Sequence, residues 1–169
     1  MDGRTEAFGD LVDRYQGVVF NLAYRMTQDY DGAQDIAQVA FIKAYEHLDL
    51  FDPKFKFLSW LYRIATNEAL NRIKSTRRLV GLRPGLRAKG KNPEEVYGET
   101  ETGEKVQDAL MDVVPFYRTM IILRYFRDCS YREMGDILDI SEQKVKSRLF
   151  KARRLMRDAL IARGILGDE

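Results

Sequence analysis

Apolar residues recur at helical spacing along two long stretches of this chain, and a stretch rich in glycine and proline, residues 79–104, separates them. No alternating pattern typical of a β-strand reaches a useful length. We therefore predict an all-α fold in which two small helical domains, residues 1–78 and 105–169, are joined by a flexible linker at 79–104. The first of the helical series is Phe8, Leu11, Val12 and Tyr15.

Four helices are predicted in the first domain. Two apolar stripes, at about 8–15 and 19–26, give the first two. The third begins near Asp31, whose carboxylate is an N-cap candidate. The pattern then breaks at Pro53 before a fourth helix over roughly 57–78.

The net charge of +2 conceals an uneven distribution of charge along the chain. Residues 60–80 hold five bases against one acid, and residues 141–157 hold seven against one. Four further bases lie in the linker at 81–92, whereas residues 1–59 carry ten acids and six bases. Separate basic blocks favour a surface that binds a polyanion, although a solvated helix face would have the same composition.

Several classes of protein are disfavoured by the composition. The single cysteine, Cys129, cannot form an internal disulfide, and together with the single histidine, His47, it cannot supply a conventional zinc site. No apolar run approaches the length that spans a bilayer, and we expect no signal sequence at the start of the chain. We expect a cytoplasmic protein without membrane insertion, metal or cofactor. An enzyme is disfavoured because neither residue has a nucleophile–base pattern around it.

A helix-turn-helix is predicted in the second domain. Ser130 and Glu133 have the spacing of a capping box, and Ser141 is a second N-cap candidate eleven residues later. Two capped helices joined by a tight turn make this motif. A helical hairpin with a merely solvated basic face is the alternative.

The second helix of this motif is amphipathic, with an apolar face of Val145, Leu149, Ala152 and Met156. A basic face on such a helix suits the major groove of duplex DNA. Phe150 lies on that face, where it would contact a thymine methyl or a sugar unless it folds back onto the preceding helix. The face and its flanks comprise Gln143, Lys146, Ser147, Arg148, Phe150, Lys151, Arg153 and Arg154.

The predicted 57–78 helix carries a stripe of amide and cationic side chains below a cluster of aromatic residues. Rings next to amide and guanidinium groups suit unstacked single-stranded bases. Among the aromatic residues we expect Phe57 and Trp60 to be core, and Phe51 and Tyr62 to be more accessible. The stripe comprises Arg63, Asn67, Asn71, Lys74 and Arg78.

The predicted third helix carries apolar residues opposite its core stripe. Val39 and Ile42 lie there between Asp35 and Glu46. Isolated exposed apolar residues are common and need no explanation. An apolar pair with a charged rim is also the pattern of a protein–protein contact.

Four sequence strings then resemble a known family. They are Ala-Gln-Asp-Ile-Ala-Gln at 33–38, Phe-Leu-Ser-Trp-Leu-Tyr-Arg-Ile-Ala-Thr-Asn at 57–67, Ser-Tyr-Arg-Glu-Met at 130–134 and Lys-Val-Lys-Ser-Arg-Leu at 144–149. In this order they resemble the bacterial sigma-70 family of RNA polymerase sigma factors, of the small extracytoplasmic-function type. The resemblance implies that residues 5–78 are region 2 and residues 105–160 are region 4.

The resemblance also implies partners and roles. They are core RNA polymerase, through its β′ coiled coil and β flap, promoter DNA, and an anti-sigma factor. The helix that holds Asp35, Gln38, Val39 and Ile42 would bind the β′ coiled coil. Phe51, Tyr62 and Asn67 match positions that bind unpaired bases of the −10 element, and the stripe adds Arg63, Asn71 and Lys74. The family's recognition helix for the −35 duplex matches Lys146, Ser147, Arg148, Phe150, Lys151 and Arg153, to which the helical wheel adds Gln143.

The chain departs from the family pattern at two places. Val39 and Ala40 stand where the family usually has an acidic residue and a threonine or alanine, so the polymerase contact is expected to be more apolar or specialised. Val114 precedes Pro115 where leucine is usual. A free-standing helix-turn-helix regulator is the alternative function, but it leaves the cluster around Phe51 and Asn67 without a purpose.

Overall fold

The computed structural model describes residues 3–80 and 100–167, and every regular element in these two ranges is helical. The predicted all-α class with two helical parts is confirmed. None of the helices in the described ranges has the length and apolarity to cross a bilayer. The predicted flexibility of residues 79–104 falls mostly outside the described residues, but 79–80 and 101–104 are helical.

The first half of the molecule, described from residue 3 to residue 80, contains three α-helices where four were predicted. Both predicted N-terminal stripes lie on one helix, α1, because Gly17 between them does not interrupt it. An internal glycine costs a helix only about 1 kcal/mol relative to alanine, which burial of the two stripes offsets. The elements are α1 (Gly3–Thr27), α2 (Tyr30–Glu46), a 3₁₀ turn (Leu48–Leu50) and α3 (Phe57–Val80).

The N-cap of α2 is Asp29, not Asp31 as predicted. The Asp29 carboxylate accepts a hydrogen bond from the Gly32 amide at 3.0 Å. A Cβ atom on Gly32 would lie 2.3 Å from that carboxylate and 2.8 Å from Arg72, so a larger residue here would displace the capping side chain. Asp31 instead occupies the first turn of the helix.

Small residues bring the three helices of the first half close together. Ala33, Ala40 and Ala44 of α2 are fully buried, as are Ala65 and Ala69 of α3. Larger side chains from α1 and α3 fill the space around them, namely Val19, Leu22, Met26 and Leu61.

The second half contains four α-helices in the described residues. Its core consists of side chains that fill the space between α5, α6 and α7, among them Met120, Leu123, Ile137 and Leu149. The elements are α4 (Glu101–Asp112), α5 (Pro115–Ile121), a π-helical turn that continues α5 (Ile122–Phe126), α6 (Tyr131–Leu138) and α7 (Glu142–Ala162).

The two halves pack against each other at the C-terminal end of α1. The last carbonyl groups of a helix have no partner within the helix. Gln107 donates to the carbonyl of Arg25 at 3.1 Å, and the buried Arg118 donates to the carbonyl of Met26. The Arg25 guanidinium also lies 3.8 Å from the ring centroid of Phe126. Side chains of the second half therefore donate hydrogen bonds to carbonyl groups at the C-terminal end of α1 that have no partner within the helix.

Candidate nucleic-acid interface

The helix-turn-helix is built by two capped helices, α6 and α7. The Ser130 hydroxyl accepts from the Glu133 amide at 3.1 Å, and the Glu133 carboxylate accepts from the Ser130 amide at 2.7 Å. The Ser141 hydroxyl accepts from the amide of Lys144 at 3.2 Å. The predicted capping box and second N-cap are both confirmed.

The turn between α6 and α7 is tight because Gly135 has no side chain. The amide of Ile140 donates to the carbonyl of Gly135 at 3.0 Å, while a Cβ atom on Gly135 would lie 2.7 Å from the carbonyl oxygen of Ile140. Asp139 reverses the chain at a φ of 55°, a left-handed conformation that aspartate tolerates. The turn fixes how α7 projects from the domain.

The two faces of α7 are separated as the sequence predicts. Its four predicted apolar residues are buried. Phe150 is 64% exposed and does not fold back onto the preceding helix. Arg148 is half-buried, and its guanidinium lies 5.3 Å from the ring centroid of Phe116. The exposed members of the predicted face are Gln143, Lys146, Ser147, Phe150, Lys151, Arg153 and Arg154.

The polar stripe on α3 is also exposed, as its helical spacing predicts. Asn67, Asn71 and Lys74 point to solvent, and Lys74 lines an open groove between the ends of α3 and α5. Arg63 is exposed but lies 3.6 Å from the carboxylate of Asp139, in the turn before α7. One member of the stripe therefore already has an anionic partner from the other half.

The aromatic residues at the start of α3 form a half-buried cluster. Phe51 packs edge-on against Phe57, with ring centroids 5.6 Å apart, and lies 5.3 Å from the ring of Trp60. Phe57 and Trp60 are partly buried and pack against the hydrophobic core, in agreement with their predicted core role. Phe51 is half-buried, so part of its side chain is accessible to solvent.

Tyr62 is not accessible, contrary to the prediction. Only 4% of it is exposed, because the second half covers it. Arg127 and Cys129 lie beside its hydroxyl, and burial raises the pKa of the Tyr62 phenol. Helical spacing could not reveal this contact, since it joins residues more than 60 positions apart.

Ion pairs connect the start of α3 with α6. The ammonium of Lys56 lies 2.5 Å from the carboxylate of Glu133. The hydrogen bond from the Lys56 ammonium is the main cause that lowers the pKa of Glu133, and the hydrogen bond from the Ser130 amide lowers it further. The same contact raises the pKa of Lys56. The predicted −10 surface is thus partly covered by the half that carries the predicted −35 surface.

The outer face of α2 presents an apolar centre with a polar rim. Ile42 is 56% exposed and Val39 is half-buried. Gln38 and Asp35 are exposed, and the Asp35 carboxylate lies 3.6 Å from the Arg72 guanidinium. The four residues predicted to bind a protein partner therefore share one accessible face.

Cys129 and His47 are of residue types that often serve in catalysis. Cys129 is buried, and burial raises the pKa of its thiol to about 11, which leaves it protonated and unreactive at neutral pH. His47 caps the C-terminus of α2 through its backbone amide and is exposed. Within the described ranges no three His, Cys, Asp or Glu residues converge as metal ligands.

Two residues that contact the exposed basic face of α7 were missed by sequence reasoning. The hydroxyl groups of Tyr125 and Tyr131 both contact the guanidinium of Arg153. Neither tyrosine lies on α7, and no periodic signal links them to it. Their contact with Arg153 depends on how three helices converge.

Comparison with family models matches both halves of the chain. Sigma-70 region 2 matches residues 11–79, and sigma-70 region 4 matches residues 104–156. The extracytoplasmic-function (ECF) RNA polymerase sigma factor SigW of Bacillus subtilis is 37% identical, covering 94% of this chain and 91% of that protein. The ECF RNA polymerase sigma-E factor of Escherichia coli is 34% identical, covering 89% and 85%.

Solved structures show the same fold. CnrH, in complex with the cytosolic domain of CnrY, is 27% identical with a TM-score of 0.67, covering 94% of this chain and 90% of that one. The sigma factor RpoE of Bartonella quintana, in complex with the anti-sigma factor NepR, is similar in fold with a TM-score of 0.75 at 23% identity. That alignment covers 92% of this chain and 97% of the other.

Proposed function

Because this chain belongs to the extracytoplasmic-function sigma factors of the sigma-70 family, we propose that it binds core RNA polymerase and directs promoter recognition and melting. The observation that carries the proposal is the pairing of two surfaces in one chain. A helix-turn-helix with an exposed basic face suits duplex DNA, and an amide-rich, aromatic-edged α3 suits unpaired bases. The protein is a non-enzymatic initiation factor that works in the cytoplasm.

Each surface has a distinct role in the proposal. α7 binds the −35 element as duplex, while Phe51, Asn67 and the stripe on α3 hold unpaired bases of the −10 element. Extruding a base costs a few kcal/mol, which stacking and hydrogen bonds on α3 return in part. The face around Ile42 binds the β′ coiled coil, and region 4 contacts the β flap. Two weak DNA contacts held on one polymerase gain from effective concentration.

The halves must separate for both DNA surfaces to be used. The −10 and −35 elements lie about 25 base pairs apart, which is roughly 85 Å along B-DNA. In the packing described above, Glu133 and Asp139 of the second half contact Lys56 and Arg63 of the first. We also propose that an anti-sigma factor binds this chain, since the structurally similar RpoE is found with NepR.

In vitro transcription tests the proposal. Core polymerase is incubated with fragmented genomic DNA with and without the purified chain, and transcript start sites are sequenced. We expect new transcripts that share two upstream motifs only when the chain is present. Absence of such transcripts, together with tight and specific DNA binding by the chain alone, would instead support a free-standing helix-turn-helix regulator.

A further inference from the structure

Arg153 on the exposed face of α7 is held in place by two tyrosine hydroxyl groups. Its Nε donates a hydrogen bond to the hydroxyl of Tyr125 at 2.6 Å, and its Nη2 lies 3.4 Å from the hydroxyl of Tyr131. The guanidinium carbon is 5.9 Å from the ring centroid of Tyr125. An exposed arginine usually samples many rotamers, whereas this one is restrained at two of its nitrogens.

Three separate elements build this contact. Tyr125 lies in the π-helical turn that continues α5, where the amide of Arg127 bonds the carbonyl of Ile122 five residues back. A π turn shifts the angular register of the residues that follow, and such turns are frequent at functional sites. Tyr131 is the first residue of α6, directly after the cap Ser130. The turn and the capping box together place both hydroxyls beside α7.

The ring of Tyr131 also contacts a second arginine. The guanidinium of Arg124 lies 5.0 Å from its ring centroid, a distance typical of cation–π contacts. The hydrogen bond from Arg153 lowers the pKa of Tyr131, as expected when a cation donates to its oxygen. The cluster, which comprises Arg124, Tyr125, Tyr131 and Arg153, therefore places two guanidinium groups against Tyr131.

The contact leaves Arg153 competent to bind an anion. A guanidinium has five N–H donors, and the two tyrosines use two of them. The remaining donors are the two hydrogens on Nη1 and one on Nη2, and a hydrogen from each of these two nitrogens can bond to a phosphate. Arg153 is the twelfth residue of α7, and base contacts come mainly from the first turns of a recognition helix. This position favours the DNA backbone over a base edge.

We propose that Tyr125 and Tyr131 are positioning residues that hold the Arg153 guanidinium for a backbone phosphate of the −35 duplex. The inference rests on the proposed function, which supplies the duplex. Immobilising a flexible arginine on binding costs side-chain entropy. The two hydroxyls impose part of that order before DNA arrives, and so they raise affinity without touching DNA themselves.

A double-mutant cycle tests this role. The holoenzyme is formed from core polymerase and each variant, and its equilibrium binding to a promoter fragment is measured over a range of salt concentrations. We expect Tyr125→Phe combined with Tyr131→Phe to weaken binding about three- to tenfold. Arg153→Ala weakens it at least as much and lowers the salt slope by about 0.9, as expected for one lost phosphate contact.

The decisive comparison is the effect of the tyrosine changes in the Arg153→Ala background. A positioning role predicts no further loss there, because the group being positioned is absent. If the tyrosine changes weaken promoter binding equally in both backgrounds, the tyrosines have a purely structural role and the proposal is overturned. It is also overturned if these changes do not weaken binding when Arg153 is present.

Tyr117→Phe is the matched control. Tyr117 lies in the same half and contacts Lys151 through its ring face, which phenylalanine retains, so binding should not change. Melting temperatures of all variants identify any that fail to fold, and a folded Tyr125→Phe single variant then completes the cycle. Transcription by the wild-type holoenzyme in the same reactions tests the proposed function separately. If that transcription fails, the fault lies with the function and not with the positioning role.

Discussion

The ammonium group of Lys56 lies 2.5 Å from the carboxylate of Glu133, and this contact joins the loop before α3 to the first turn of α6. The same carboxylate accepts the Ser130 amide at 2.7 Å within the capping box. One side chain therefore caps its own helix and also connects the two halves of the molecule. These two roles can be separated by substitution.

Glu133→Gln and Glu133→Ala distinguish the cap from the ion pair. Glutamine keeps an oxygen that accepts the Ser130 amide but has no charge for Lys56, whereas alanine loses both contacts. We expect glutamine to lower the free energy of unfolding by at most about 1 kcal/mol, since the ion pair is near the surface. Alanine should lower it by about 1 kcal/mol more. Urea unfolding measures both, and equal losses would show that the ion pair alone carries the effect.

The same residue gives stability a pH dependence. The pKa of Glu133 is lowered in the folded protein from its ordinary 4.5. Its contribution is therefore fully present above pH 4.5 and is lost as the pH falls through the lower folded pKa. The difference in unfolding free energy between wild type and Glu133→Gln should stay constant near neutral pH and shrink below about pH 4.5. A difference that grows on acidification would contradict the assignment.

Much of the local structure follows from the sequence because its signals are local. The capping box of Ser130 and Glu133, the cap at Ser141 and the apolar face of α7 all depend on spacings of three or four residues. The exposure of Phe150 and Ile42 follows from the same periodicity. These features need no knowledge of how the helices pack.

Features that depend on contacts between distant elements were not predictable. Tyr62 has the sequence context of an accessible residue, but it is buried because α3 packs against the second half. Asp29 and Asp31 are both aspartates, a residue type that favours the N-cap position, so the sequence does not distinguish them. The structure selects Asp29, because Gly32 approaches its carboxylate closely. The tyrosines that restrain Arg153 lie on other elements altogether.

Arg118 is expected to be the most sensitive buried residue of the junction between the halves. Only 3% of it is exposed, and its guanidinium donates to carbonyl groups at the end of α4 and, through Nη1, to that of Met26. Burial lowers its pKa to about 10, so it remains charged at neutral pH. The single ammonium group of a lysine cannot bond to the carbonyl groups of α4 and to that of Met26 at the same time. Arg118→Lys should therefore lower the free energy of unfolding by about 3 kcal/mol or more.

Arg124→Lys provides the comparison for that measurement. The Arg124 guanidinium donates to one carbonyl, that of Cys129, at 3.0 Å, and the side chain is only half-buried. Its replacement should cost about 1 kcal/mol in urea unfolding. Similar losses for the two variants would mean that Arg118 acts through its charge and not through the carbonyl groups that it spans.

Ile42→Glu should weaken the polymerase contact without affecting the fold. Because the side chain is 56% exposed, the free energy of unfolding should change by no more than about 0.5 kcal/mol. A charge at the apolar centre of the face should reduce affinity for core polymerase at least about tenfold. Leu79→Glu, at an exposed position at the far end of α3, is the control that should leave binding unchanged. Wild-type affinity in Ile42→Glu would exclude this face as the contact.

The packed arrangement of the two halves predicts a compact protein in solution. A compact chain of this length has a radius of gyration of roughly 15 Å, and the free protein should lie close to that value in small-angle X-ray scattering. Combining Lys56→Glu with Arg63→Glu places like charges opposite Glu133 and Asp139. We expect this variant to expand and to expose Tyr62 and the neighbouring Cys129.

Cysteine labelling gives a second measure of the same opening. Cys129 is the single cysteine, so a thiol reagent reports on that site alone, and its burial should make labelling of the wild type slow. The Lys56→Glu, Arg63→Glu variant should react about tenfold faster, equivalent to a change in the opening equilibrium of about 1.4 kcal/mol. Lys54→Glu reverses an exposed charge in the same loop without touching the second half and should label like the wild type. Rapid labelling of the wild type, or an unchanged radius and rate in the double variant, would contradict a junction held by these ion pairs.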